Sequence, residues 1–333
     1  MEDVIRSIST QRLEIYEDYF SCSSKAEALG MYLWNQRVSS EFSCIIQIIE
    51  ISLRNSIYNA YIEKKSNDEE WFVKYSKALP KSEEGRRQID YVIDKQLSHK
   101  AQYSINDVIS RLPFGYWTSM CRNDHNESIS GSLELWPSLL PFVFKGRTSE
   151  SQDDIFHLIV QVNKFRNRIS HHEVIWKDVV GFGLASSFNK IFNSFSICLK
   201  LASIIGIDNL KIIEISNSIN RLKELCTEGK VEEYKKIISD WSSINPNINN
   251  VFDDVYLCTE VTGVITSIKP NKIIIQSTSC LTKDGKQIKF KIDNSEMNSF
   301  SSCAKFTPIK FTPYVYRNRV RGNFYVAKNV SLV

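Results

Sequence analysis

The stretch SESQDDIFHLIVQVNKFRNRIS, residues 149–170, has the spacing of an amphipathic helix and decides the class of the fold. It opens with serines and acidic residues, which suit a helix N-terminus because they bind free backbone N–H groups and complement the helix dipole. Its apolar side chains recur every three or four positions and therefore share one face. They are Ile155, Leu158, Ile159, Val162, Phe165 and Ile169. The stretch predicts a helix that packs against the core of a helical domain.

Further helical patterns fill the chain up to residue 243. Helices are predicted over residues 39–64, 81–99, 209–226 and 230–242, and the first of these follows serines that suit the N-cap. The apolar run 181–206 is interrupted by Asn and Lys, so it predicts a core helix and not a membrane span. The first ten residues lack the basic and apolar regions of a secretory signal, so we expect a cytoplasmic protein without a membrane partner.

The last part of the chain has a composition typical of short strands. Residues 244–254 are rich in Asn and Ser and contain a proline, which indicates a linker. Five patterns rich in Val, Ile, Thr, Tyr and Phe follow within residues 255–333, with turn residues at 283–286 and 321–323. Five short strands favour a small barrel of the OB type. The predicted fold is therefore α+β, with a helical domain over 1–243 and an all-β barrel over 255–333.

Positive charge is concentrated in the predicted barrel. The chain carries a formal net charge of +4, but residues 261–333 hold twelve Lys and Arg against three Asp and Glu, so the preceding residues are net acidic. Cations track a phosphate backbone, and interleaved aromatic rings stack on bases. The candidate RNA-binding residues are Lys289, Lys291, Arg317, Arg319 and Arg321. The three arginines alternate, so on a strand they would share one face; the alternative is a solvated basic face without a ligand.

A polar cluster ends the helix predicted over 149–170. Asn163, Asn167 and His171 are four residues apart and therefore stack on one side of a helix. Arg166 offers a permanent charge and a planar fork of donors that fits a phosphate. His171 and His172 are side chains that take up and release a proton near neutral pH. These groups suit metal-independent RNA cleavage, in which a ribose 2′-hydroxyl attacks the neighbouring phosphorus.

The same residue types also suit a structural role. Arginine and histidine near a helix C-terminus interact favourably with the helix dipole, and an Arg-Asn pair caps or bridges helices. Short motifs match by chance, so residue chemistry alone leaves both interpretations open. The eight cysteines are scattered and lack the paired spacing of a zinc site, so neither a metal nor another cofactor is expected.

The stretch RNRISHHE, residues 166–173, resembles the signature of the Abi-like family of abortive-infection proteins (AbiD and AbiF type) in the HEPN superfamily. That signature is Arg, a polar residue, a short spacer and then His. Arg166, Asn167 and His171 match it, and His172 matches with a spacer one residue longer. Three other blocks resemble the family in the same order: MYLWNQRVSSEFSCIIQIIEISLRNSIYNAY (31–61), LPFGYWTSM (112–120) and LWPSLLPFVF (135–144). The resemblance spans about residues 25–180, and Val174 departs from it where members more often carry proline.

The resemblance implies an all-α HEPN bundle and a metal-independent endoribonuclease toxin of bacterial anti-phage defence. It implies Arg166 and His171 as the catalytic core, His172 as an alternative acid or base, and Asn167 as an organiser. The implied partners are RNA as substrate or regulator, a second copy in a homodimer, and an antitoxin. The sequence identifies neither the RNA nor the trigger. The alternative function is a non-catalytic RNA-binding protein that uses the HEPN fold as a dimerisation scaffold.

Three residues of the predicted helix 39–64 allow two alternative interpretations. Glu50 and Arg54 are spaced for an ion pair within that helix, which predicts a structural contact in the helical core. In the other interpretation, Arg54 and Asn55 line the RNA groove.

Overall fold

A computed structural model describes residues 1–100, 102–177, 183–239, 241, 261–281, 286–318 and 322–333. The chain forms two compact units, residues 1–241 and 242–333. The described part of the first unit is helical and that of the second is a five-stranded barrel, so the predicted α+β class is confirmed. None of the helices in these ranges is both long and apolar enough to cross a membrane. The predicted linker, 244–254, lies outside the described residues.

The first unit contains fourteen α-helices within its described residues. They are α1 Glu2–Ile8, α2 Thr10–Phe20, α3 Lys25–Glu41, α4 Ser43–Lys64, α5 Trp71–Ala78, α6 Glu84–Asp90, α7 Ile105–Arg111, α8 Phe114–Met120, α9 Leu140–Val143, α10 Gln152–Ser170, α11 Leu184–Ile205, α12 Asp208–Ser216, α13 Ser218–Leu225 and α14 Glu228–Lys236. A π-helical turn, Tyr91–Gln96, continues α6. Helix α4 packs against α8, α9, α11 and α12, and α10 packs against α8 and α11.

Helix α10 forms where the sequence predicts it. The Ser151 side chain accepts the Asp154 backbone N–H at 3.2 Å, and the Asp154 carboxylate accepts the Ser151 N–H at 2.9 Å. This capping box satisfies two backbone donors that the first helical turn leaves free. Ile155, Ile159 and Val162 are fully buried, so the apolar stripe packs against the core as expected.

Two predicted helices are interrupted at a position where the sequence indicated no break. Ser39 and Ser40 lie in the last turn of α3, and neither side chain caps α4. Helix α4 begins at Ser43 after Phe42, which has helical angles and no side-chain cap hydrogen bond. The serine-cap prediction was therefore wrong. Phe42 is fully buried and its ring lies 4.8 Å from that of Phe165, so core packing fixes this junction. The predicted helix 209–226 is divided at Asn217, whose φ of 56° lies in the left-handed region that Asn tolerates.

The second unit is a closed barrel. Its strands are β1 Val261–Lys269, β2 Lys272–Leu281, β3 Gln287–Ile292, β4 Pro308–Asn318 and β5 Gly322–Leu332, in the spatial order β1-β2-β3-β5-β4. The β3–β5 pair is parallel and the other pairs are antiparallel. Ile265, Ile275, Phe290, Ile309 and Phe311 fill the interior. Of the two predicted turn segments, residues 283–285 and residue 321 lie outside the described residues.

Candidate functional site

The end of α10 holds its two histidines in different backbone conformations. His171 follows Ser170 with near-helical angles, and its N–H donates to the Asn167 carbonyl at 2.9 Å. His172 has a φ of 56° and donates its N–H to the Ile169 carbonyl at 3.0 Å. Such bonds satisfy carbonyls that the last helical turn leaves without a partner. The sequence could not assign these two conformations, because a histidine at either position can adopt the backbone angles of a helix C-terminus.

The chain beyond the histidines is anchored by Asn35 on α3. Its amide accepts the Ile175 N–H and donates to the Glu173 carbonyl, both at 3.3 Å. Asn35 is 2% exposed, and Ile175 and Trp176 are fully buried. A buried amide needs such partners because an unpaired polar group in the core is costly. Asn35 therefore fixes the path of the chain where it leaves the cluster. Asn35 belongs to the sequence block 31–61 quoted above, but the sequence assigned it no role.

Arg166 contacts helix α4. Its Nε lies 3.7 Å from Glu50 Oε2, and its Nη1 donates to Asn167 Oδ1 at 3.4 Å. The Arg166 side chain remains 33% exposed and that of Glu50 23% exposed. The guanidinium is therefore tethered at the junction of α10 and α4 while part of it faces solvent. The bridge to α4 also agrees with the structural interpretation of an arginine in this cluster.

Glu50 pairs with Arg166 and not with Arg54. Within the described ranges no ion pair joins Glu50 to Arg54, so the predicted contact along α4 was wrong. A spacing of four residues permits an ion pair between Glu50 and Arg54, but α10 supplies Arg166 as a competing cation. The Nε of Arg54 instead donates to Asn55 Oδ1 at 3.4 Å. Asn55 is exposed and Arg54 is half-buried, so both lie at the surface of α4.

The polar side chains near the end of α10 point in different directions around the helix axis. Arg166 and His171 are five positions apart in sequence, which places them about 140° apart around the helix axis. Asn163 and Asn167 lie between those two directions. Both histidines are exposed, and none of the described residues hydrogen-bonds to either imidazole. Both imidazoles are thus accessible, and no described residue forms a hydrogen bond or an ion pair with either of them.

His172 also borders a cavity beyond the helix end. The cavity measures about 260 Å³, and Asn35, Gln36, Ser39, Ser40, Ser43 and Ile169 complete its lining. The His172 carbonyl accepts a hydrogen bond from Arg12 Nη1 at 3.1 Å. His172 therefore lies towards the junction of α3 and α4, whereas His171 remains on the outer surface of α10.

Two of the basic residues predicted on the barrel lie on β3. Lys289 pairs with Gln276 and Lys291 with Ile274 across β2, and these lysines alternate with the buried Phe290 and Ile292. Alternation along a strand places the two lysines on the outer face. Lys291 Nζ donates to Asn294 Oδ1 at 2.9 Å. Arg317 belongs to β4 but its side chain, like the whole of Arg319 and Arg321, lies outside the described residues.

No cluster with the composition of a metal site occurs in the part of the chain that the structure describes, since no three His, Cys, Asp or Glu side chains group suitably. The six cysteines whose side chains are described are free thiols.

Comparison of the chain with family models, with curated proteins and with solved structures finds no match in any of the three.

Proposed function

We propose that the chain is a metal-independent endoribonuclease toxin of bacterial anti-phage defence, with Arg166 and His171 as its catalytic core. The support comes from the end of α10, where both imidazoles stay exposed and free of hydrogen bonds to the described residues. A purely structural histidine at a helix end is expected to bind a carbonyl or a carboxylate. These two do neither among the described residues, which leaves them accessible for proton transfer.

The proposed reaction uses the charge of Arg166 and the imidazole of His171. Arg166 stabilises the negative charge that builds up on the scissile phosphate. A histidine withdraws the proton of the ribose 2′-hydroxyl, whose oxygen attacks phosphorus, and an acid protonates the departing 5′-oxygen. The products are a 2′,3′-cyclic phosphate and a 5′-hydroxyl. Asn167 organises the site by its contact with Arg166 Nη1.

A second copy of the chain is part of this proposal. The reaction needs one base and one acid, and no acid or base among the described residues hydrogen-bonds to the imidazole of His171. A homodimer that brings two α10 ends together supplies both groups. An antitoxin or a regulatory RNA then has a defined target, because covering this surface blocks both sites.

The barrel is proposed to hold the RNA. Its closed order β1-β2-β3-β5-β4, with a parallel β3–β5 pair, supports an OB-type barrel. Such barrels bind single strands through cationic grooves and stacked aromatic rings. Lys289 and Lys291 on the outer face of β3 suit phosphate contacts. Arg54 and Asn55 on α4 are proposed contacts near the reacting phosphate.

Cleavage of total RNA in EDTA tests the proposal. Wild-type chain is expected to release fragments with cyclic phosphate ends, while Arg166→Ala and His171→Ala are expected to lose about 100-fold or more in rate. Lys223→Ala on α13 serves as a control with the same loss of positive charge as Arg166→Ala. RNA binding without cleavage, unchanged by either substitution, would instead support the non-catalytic RNA-binding protein.

A further inference from the structure

A second feature of α10 lies on the side opposite to Glu50. A cavity of about 220 Å³ opens between α10 and α11, lined by Gln161, Val162, Lys164, Phe165, Arg168, Lys190, Ser194, Ile197 and Cys198. Its lining therefore combines three cations with an apolar floor, and none of the described residues in it is acidic.

The cations of the cavity differ in how they are engaged. Arg168 donates to the Val174 carbonyl and lies 3.5 Å from the Glu173 carboxylate, so its charge is partly neutralised. Lys164 and Lys190 form no ion pair with any described residue. Two positive charges on facing helices without a carboxylate partner attract an anion. The rim thus offers phosphate-binding groups that no contact within the described fold uses.

The floor of the cavity suits a flat, mostly apolar ring. Val162 is buried, Phe165 is half-buried, and the Ser194 hydroxyl donates to the Lys190 carbonyl at 2.9 Å. Burial raises the pKa of the Cys198 thiol to about 12, so the thiol stays neutral. At about 30 Å³ per water, the cavity has the volume of roughly seven water molecules. That space admits one base or sugar, with its phosphate at the rim.

The cavity also lies on the face of α10 that carries His171. Lys164, Arg168 and His171 follow one another at intervals of four and three, so they share one side of the helix. A helix is about 10–12 Å across with its side chains. A strand that crosses the outer surface of α10 from Arg166 therefore meets His171 and then the cavity within a few nucleotides.

We propose that this cavity binds one nucleotide, its base on the floor formed by Phe165 and its phosphate between Lys164 and Lys190. The ligand is either a nucleotide of the RNA strand beside the cut or a free mononucleotide. The assignment of this ligand to an RNA strand rests on the proposed function. The cavity and its cations are observed independently of that function.

Photolabelling of the full chain tests the site. The probes are 4-thiouridine monophosphate and a short oligodeoxyribonucleotide with one 4-thiothymidine. The oligodeoxyribonucleotide lacks 2′-hydroxyl groups, so the proposed reaction does not cut it. Peptides containing residues 161–168 or 190–198 are expected to carry the label. Labelling by the oligonucleotide alone assigns the site to a strand, and equal labelling by the monophosphate assigns it to a free nucleotide.

Substitution of the two lysines provides the quantitative arm. Lys164→Gln and Lys190→Gln are each expected to weaken probe binding by about fivefold, since each removes one exposed ion pair between a lysine and the phosphate of the probe. Lys223→Gln on α13 makes the same change in charge elsewhere and is expected to have no effect. Thermal unfolding of each variant shows whether it is folded.

The outcomes separate this site from the proposed function. Label in the named peptides, reduced by the lysine substitutions, supports the cavity even if the chain cuts no RNA. Label elsewhere, or binding that neither lysine affects, overturns the nucleotide site even if RNA is cut and Arg166→Ala abolishes the cut.

Discussion

The two histidines at the end of α10 differ in backbone conformation, and this difference separates their roles. His171 keeps near-helical angles on the outer surface. His172 has a φ of 56°, a left-handed conformation that Asn adopts more readily than most side chains. We therefore propose that His171 transfers the proton and that the backbone of His172 ends the helix.

Replacing each histidine by asparagine tests that assignment. His171→Asn is expected to lower the cleavage rate by about 100-fold or more, because the amide transfers no proton. His172→Asn is expected to change the rate by less than about threefold, since Asn accepts the left-handed conformation. Single-turnover cleavage of a defined RNA measures both. A larger loss in His172→Asn would reverse the roles of the two histidines.

Residue spacing identified the cluster but not its contacts. Helical periodicity placed Asn163, Asn167 and His171 on one side of α10, because the 3.6-residue period depends only on sequence. The partner of Glu50 depends on which helix packs against α4, and a lone sequence does not contain that information. Asn35 was missed for the same reason, since it acts on residues about 140 positions further along the chain.

At the scale of elements, the capping box of α10 gives its stability a dependence on pH. Hydrogen bonds from the Ser151 side chain and backbone N–H lower the pKa of Asp154. A carboxyl with a lowered folded pKa stabilises the protein above its unfolded pKa, and this contribution is lost as the pH falls through the folded value.

Ser151→Ala should weaken this cap. We expect the free energy of unfolding at neutral pH to fall by about 1 kcal/mol. We also expect the acid-induced loss of stability to be smaller than in the wild type, because fewer bonds then favour the Asp154 carboxylate. Urea unfolding at neutral pH and at a pH below the usual range of Asp measures both effects. An unchanged pH dependence would show that the cap does not couple to Asp154.

Helix α14 is held against α3 by a close backbone approach. A Cβ added to Gly30 would lie 2.0 Å from the Tyr234 carbonyl oxygen, so α14 must move to admit it. Gly30→Ala is expected to lower the free energy of unfolding by about 1–3 kcal/mol. Gly229→Ala, on α14 itself with no neighbour within 4 Å of the added Cβ, is the matched control. That change is expected to stabilise the helix by about 0.5–1 kcal/mol, and urea unfolding compares the two.

The elements were more predictable than their boundaries. Helix α10 was predictable because its caps and apolar stripe are local signals. The break between α3 and α4 was not, because Phe42 is fixed by rings from distant positions, Phe165 and Phe195. The order β1-β2-β3-β5-β4 depends on long-range pairing, although the alternation of side chains within each strand is local.

At the scale of the whole molecule, the charge of the barrel is expected to control affinity for RNA without altering the chemistry. Replacing Lys289 and Lys291 by Gln should weaken RNA binding and lower the dependence of log Kd on log salt by roughly one for each phosphate that the protein no longer neutralises. The rate of cleavage at saturating RNA should remain unchanged. Fluorescence anisotropy over a salt series measures the slope. A lower cleavage rate at saturating RNA, with an unaltered salt dependence of Kd, would contradict the claim that these lysines act in binding and not in cleavage.

The most direct test of the central claim is the chemistry of the cut itself. A defined RNA that the protein cuts at one position is prepared with a single 2′-deoxynucleotide on the 5′ side of that bond, and fragment masses are measured in EDTA. We predict that the unmodified RNA yields a 2′,3′-cyclic phosphate and a 5′-hydroxyl, and that the 2′-deoxy RNA is not cut there. Cleavage of the 2′-deoxy bond, or a product with a 5′-phosphate, would contradict attack by the 2′-hydroxyl.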